Sequence, residues 1–100
     1  MLVQLTKTEQ LTTIHLQGRF DYGARLDFDR AVQESLGLQA PQIQLDMKAV
    51  EYMDSAALGM LLLLRDKATG LGKTVCLAET QGFVKKILEV ANFHKLFQML

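Results

Sequence analysis

One proline, one cysteine and no tryptophan occur in this chain of 100 residues, and each scarcity excludes something. Cys76 has no partner for an internal disulfide, so the chain is not a disulfide-stapled secreted scaffold, and a reducing cytoplasm is its expected compartment. With Pro41 as the only proline, no stretch reads as a Pro-rich linker or low-complexity tail. Charge of one sign is missing too. Eleven Lys/Arg and eleven Asp/Glu cancel to a formal net charge of zero, and no basic run exceeds Lys85-Lys86. Nucleic-acid binding draws on counterion release at a concentrated basic face, so nucleic acid is not an expected partner. The longest apolar run, Ala56 to Leu64, has nine residues against the ~20 needed to cross a bilayer. Met1 to Lys7 lacks the basic-then-apolar layout of a secretory signal. A cytoplasmic domain without direct membrane insertion is expected.

What is present is a core. With 49% hydrophobic and 22% charged residues, the chain fits one compact domain over residues 1–100, burying roughly two-thirds of its unfolded surface. Leu2 to Leu5 and Leu11 to Gln17 read as strands, the second alternating Thr12, Ile14, Leu16 with Thr13, His15, Gln17 and ended by Gly18. From Ala24 to Leu36 the period becomes helical: Ala24, Phe28, Ala31, Val32 and Leu36 share a face, with Asp21 as N-cap and Gly37 at the C-cap. Pro41 opens a strand over Ile43 to Met47. A second helix runs from about Ser55 to Thr69 and closes at Gly70 and Gly72. Thr74 to Ala78, continuously apolar, reads as a strand covered on both faces. Phe83, Val84, Ile87, Leu88 and Ala91 form the buried stripe of a third helix stopping at Asn92, and Leu96 to Leu100 suit an edge strand. Strands interleaved with helices after an opening strand pair predict an α/β sandwich: a mixed sheet of four to five strands with about three helices packed against it.

Familiar chemistries fail on spacing. Gly70-Leu71-Gly72-Lys73-Thr74 resembles the end of a phosphate-binding loop, but Lys67 stands where that motif needs its first glycine. The segment also leaves a helix and enters a strand, the reverse of the required order. His15, Cys76 and His94 show no ligand spacing, so no metal is expected; Cys76 reads as core and the histidines as surface or edge. Met53-Asp54-Ser55-Ala56-Ala57 lacks both glycines of a nucleophile elbow. No catalytic residue is assigned, and the chain is not expected to be an enzyme.

The segment Tyr52 to Gly59 carries more. Ser55 falls at the start of the second helix beside Asp54, where either residue can cap free N–H groups, worth ~1 kcal/mol. That helix, however, is apolar on every side through Ala56, Ala57, Leu58 and Met60 to Leu64, although a helix on a sheet needs only one buried stripe. The excess either packs against neighbouring helices or forms an exposed patch for a partner. A phosphate on Ser55 would sit at the positive end of the helix dipole. It would add about −1.5 to −2 charges beside that patch.

On these residues the chain resembles the STAS-domain family, whose bacterial members include the anti-sigma factor antagonists. Gly18-Arg19-Phe20-Asp21 matches the family's turn before the first helix. Ile43 to Met47 with Tyr52-Met53-Asp54-Ser55 matches its apolar strand and aromatic-small-Asp-Ser/Thr turn, and Ala56-Ala57-Leu58-Gly59 matches its small-residue helix start. The resemblance covers essentially the whole chain. It departs at Arg19, where the family often has an acid, and at Ala57, where it often has glycine; both bear on the partner's identity. The resemblance implies Ser55 as phosphoacceptor and a partner-binding surface of Asp21, Asp54, Ser55, Ala56, Leu58, Gly59 and Met60. It implies an anti-sigma factor of the serine protein kinase type as partner, bound when Ser55 is unphosphorylated so that a sigma factor is freed. A protein serine phosphatase would reverse the mark. ATP and metal would belong to those partners, and no cofactor to this chain. Two alternatives stay open: a STAS subunit binding the ATPase of a lipid-trafficking ABC transporter, or another signalling scaffold; and a small enzyme using Ser55 or a carboxylate pair.

Overall fold

The computed structural model describes all residues, 1–100. Ten elements follow in order: strands β1 (Leu2–Lys7) and β2 (Leu11–Phe20), a 3₁₀ turn (Tyr22–Ala24), helix α1 (Arg25–Leu36), β3 (Gln42–Met53), α2 (Ser55–Gly70), β4 (Thr74–Ala78), α3 (Gly82–Val90), a second 3₁₀ turn (Phe93–Lys95) and β5 (Gln98–Met99). The expected mixed sheet has five strands in sequence order, β1 antiparallel to β2 and the rest parallel.

Sequential order has a consequence. Parallel strands are joined by right-handed crossovers, and three such connections stepping the same way along the sheet stack α1, α2 and α3 on one face. Alternation then decides the rest. Ile14, Leu16, Ile43, Leu45, Met47 and Leu77 point beneath the helices and are at most 2% exposed. They join Phe28, Val32, Leu61, Leu64, Val84 and Leu88 in one core cluster. The opposite face carries Gln4, Thr6, His15, Gln17, Gln44 and Asp46, as expected of a sheet side that meets water. The expectation that β4 is buried on both faces holds for Cys76 to Ala78, although no helix covers the open side. Cys76 and Ala78 on the open side are buried because they are short, and Cys76 Sγ lies 3.9 Å from the Gln44 amide oxygen.

Strand lengths differ from expectation for a shared reason. Gly18 does not end β2: it takes φ +101°, and a register shift beside it bends the strand onward to Phe20, as a bulge at a left-handed glycine allows. In β3 the period breaks between the pairs His15–Asp46 and Gln17–Ala49. Val50 and Met53 then return to the buried side, so the strand reaches Met53 rather than Met47. Phe83 is a second correction. It stands outside, 57% exposed, and stacks on Tyr52 with ring centroids 6.2 Å apart; α3 buries only Val84 and Leu88.

Candidate functional site

The overhanging ends of β2 and β3 build the site. Phe20 pairs with Met53 in parallel register, so Asp21 and Asp54 leave adjacent strands side by side at the carboxyl end of the sheet, where open α/β sheets place their sites. Asp54 keeps extended backbone (φ −124°), and its Oδ1 accepts the Ala57 N–H at 3.0 Å. It is the N-cap of α2. Ser55 is thereby freed from capping: it is the first helical residue, it is exposed, and no group of the chain hydrogen-bonds its hydroxyl.

Asp21 does not do what the sequence suggests. It precedes the 3₁₀ turn without a side-chain hydrogen bond to it. Its carboxylate instead faces Arg19 Nε at 3.5 Å. The competing guanidinium next door, absent from a pure capping argument, captures it. The same guanidinium lies 4.1 Å from the centroid of the Tyr52 ring, which in turn stacks on Phe83. Sequence reasoning missed this Arg19–Tyr52–Phe83 stack. The signal was available in part, since Arg19 and Tyr52 flank the two aspartates at equivalent places on β2 and β3.

The excess of apolar residues on α2 resolves into both of its possible fates. Ala57, Leu61, Leu64 and Ala68 are buried in the core. Ala56, Leu58 and Met60 are half-buried, Gly59 is exposed, and Leu63 is 53% exposed. Ser55, Ala56, Leu58, Gly59 and Met60 therefore lie on the first turn and a half of α2, with Asp54 capping it and Asp21 on the neighbouring strand. Gly59 stands out physically. A Cβ built there meets nothing within 4 Å, so no contact inside the chain calls for glycine. Yet mid-helix glycine costs about 1 kcal/mol against alanine.

His15 and Cys76 of the dismissed metal reading lie elsewhere. His15 Nδ1 and Asp46 Oδ2 are 3.0 Å apart on the open sheet face, with Thr6 Oγ1 2.9 Å from His15 Nε2. Burial alone would raise the Asp46 carboxyl, but the Lys48 N–H and His15 outweigh it and hold the group below its ordinary value. Cys76 is separate and buried, and burial pushes its thiol up. No three His, Cys, Asp or Glu side chains converge on a metal-sized site.

A single-layer helical cover on a five-stranded mixed sheet is a fold shared with solved anti-sigma factor antagonists. The chain is similar to SpoIIAA in its unphosphorylated form, with TM-score 0.76 and 19% identity over 99% of this chain and 87% of that one. It is also similar to a putative anti-sigma factor antagonist from Thermotoga maritima, with TM-score 0.87 and 16% identity over 97% and 84%. At these identities the likeness is one of fold. Sequence goes further: the family model described as "Mlab, STAS domain" matches residues 3–100, and the chain belongs to the STAS family. A STAS-domain containing protein of Pseudomonas aeruginosa is 44% identical over 90 residues, 90% of this chain and 88% of that protein.

Proposed function

We propose that this chain is a non-enzymatic docking module whose contact surface is the start of α2 and whose switch is phosphorylation of Ser55. The observation that carries the reading is the division of labour between Asp54 and Ser55. The cap is already filled, so an exposed hydroxyl is left over at a helix N-terminus beside half-buried Ala56, Leu58 and Met60. A phosphate there is compatible with the fold and incompatible with an apolar contact. It adds about −1.5 to −2 charges, and a like-charge or desolvation penalty of ~3 kcal/mol weakens binding about a hundredfold. The partner of the antagonist reading is an anti-sigma factor that is also a serine kinase, with a serine phosphatase to reset the switch. Gly59 supports a close approach, since an exposed glycine without an internal packing role leaves room for another backbone.

A second reading keeps the surface and changes the partner to the ATPase of a lipid-trafficking transporter. It is favoured by the match of residues 3–100 to the Mlab model, whereas the antagonists are matched in fold alone. One experiment separates the two: tagged Ser55→Ala and Ser55→Asp proteins are used as baits in native lysate. A soluble kinase-like ATPase held by the alanine form and lost from the aspartate form supports the antagonist. A membrane-associated ATPase held by both supports the transporter subunit and leaves Ser55 without a switching role. If neither bait retains an ATPase, both readings fail.

A further inference from the structure

Helices α1 and α2 run side by side, and a groove of about 250 Å³ opens between them on the outer surface. Its floor is core: Phe28, Val32 and Leu64 are at most 3% exposed. Its walls are unpartnered, with Leu26 65% and Leu63 53% exposed. A single exposed leucine is ordinary on a soluble protein. Two of them facing each other across a buried apolar floor form a concave patch that nothing in the chain covers. Leu26 also lies off the apolar stripe of α1, so burial of that helix on its own sheet does not account for it.

We infer that this groove receives an amphipathic helix from a protein partner, with apolar anchors in the groove and acidic residues along its margins. Shape selects the helix. The groove lies between two helices and spans Arg25 to Val32 along α1, about two turns, which suits anchors spaced i, i+3/i+4 and i+7. Charge selects the acidic flank. Arg25 and Lys67 line the margin, and the one anion there, Asp29, lies 3.9 Å from Lys67, which leaves the Arg25 charge uncompensated by any carboxylate lining the groove. The Arg25 guanidinium is held 4.3 Å from the Tyr22 ring, a placement that pre-orients it at the groove's edge. A second copy of this chain is a poor occupant. Its exposed amphipathic helix, α3, presents Phe83 and Val90 but carries two cations, Lys85 and Lys86, against one acid, Glu89, and its net positive charge would meet Arg25 and Lys67.

The inference rests on the docking reading only through Met60, which borders both the groove and the start of α2; Ser55 takes no part in it. The test uses the unphosphorylated full chain, methyl-labelled, titrated by NMR with two synthetic leucine-anchored peptides. Each has about 18 residues, long enough to hold a helix in water, and they differ only in Glu or Lys at the flanking positions. The Glu peptide is expected to shift the Leu26, Leu63 and Met60 methyls saturably and to bind about tenfold more tightly than the Lys peptide, with Arg25→Glu reversing that order. Removing one buried anchor contact by Leu63→Ser is expected to weaken binding about tenfold or more. Leu26→Ser provides the same check on the opposite wall, and Leu71→Ser, exposed outside the groove, serves as the control. Absence of saturable shifts in the groove, equal binding of the two peptides, or shifts mapping elsewhere would overturn the inference. None of those outcomes alters the Ser55-dependent capture that tests the docking reading.

Discussion

At the scale of single residues the site is a partition of roles between neighbours. Asp54 supplies the cap, Ser55 supplies an accessible hydroxyl, and Asp21 is tied to Arg19. Removing the cap should therefore lower stability directly. Asp54→Ala is expected to cost about 1 kcal/mol, a fall in melting temperature of about 4–8 °C for a domain of this size. Thermal unfolding followed by circular dichroism reads it, and an unchanged midpoint would return the cap to Ser55. A second residue-scale prediction comes from the open sheet face. The Asp46 carboxyl is lower in the folded chain than its ordinary value of 3.8, so its ionised form stabilises the fold above that pH. The contribution is lost as pH falls below 3.8 through the folded value. The stability gap between wild type and Asp46→Asn, taken from urea unfolding, should accordingly be larger above pH 3.8 than in strong acid, where it closes. A gap of the same size on both sides of that acid transition would mean the contribution is not ionic. Cys76, with its thiol pushed up by burial, should react with an aromatic disulfide reagent only slowly at neutral pH until the chain is unfolded.

At the scale of elements, α2 concentrates both what the sequence shows and what it hides. Its apolar excess was visible in Ala56 to Leu64, because a period of 3.6 leaves no polar side over two and a half turns. Which of those residues face outward was not visible, because that depends on where α1 lies, and the exposed walls Leu26 and Leu63 come from different helices. The same limit explains the strands. Periodicity found β1, the start of β2, the start of β3 and β4. It stopped short wherever a bulge resets the alternation, at Gly18 and after Met47, and those two extensions carry Asp21 and Asp54 to adjacent places at the sheet end. Phe83 was misplaced because helical spacing alone assigns an aromatic residue to the core, whereas here the Tyr52 ring on a neighbouring strand offers it a surface to stack on. Gly59 gives the sharpest test at this scale. A methyl there meets open space and removes the conformational cost of glycine, so Gly59→Ala should stabilise the isolated chain by up to about 1 kcal/mol. It should at the same time weaken partner capture, since the methyl would project from the proposed contact surface. A variant that is more stable and binds as well as wild type would remove Gly59 from the interface.

At the scale of the whole molecule the decisive property is neutrality. A chain with a formal net charge of zero has no net charge with which to attract or repel a partner at long range, so one phosphate turns a neutral molecule into an anion of about −1.5 to −2. The change falls at the amino end of a helix, where an anion is favoured by about 0.3–1 kcal/mol, and not in the core. The proposed switch should therefore alter what the surface binds and leave the fold as it was. Ser55→Asp is expected to keep or slightly raise the melting temperature. Its amide spectrum should change only around Tyr52 to Gly59, the facing Arg19–Asp21 turn and Phe83, which stacks on Tyr52, while the Ser55→Ala protein should show the same fold with its apolar patch available. If the aspartate form lost several degrees of stability, or if its spectral changes spread to the opposite end of the sheet, at Thr8 to Leu11 and Gly72 to Thr74, control would act through the fold and not through the contact surface. The neutrality argument would then fail at the scale on which it was made, because a surface charge that reaches the opposite side of a 32 × 26 × 19 Å molecule has to travel through packing, well beyond the ~8 Å over which charge acts in physiological salt.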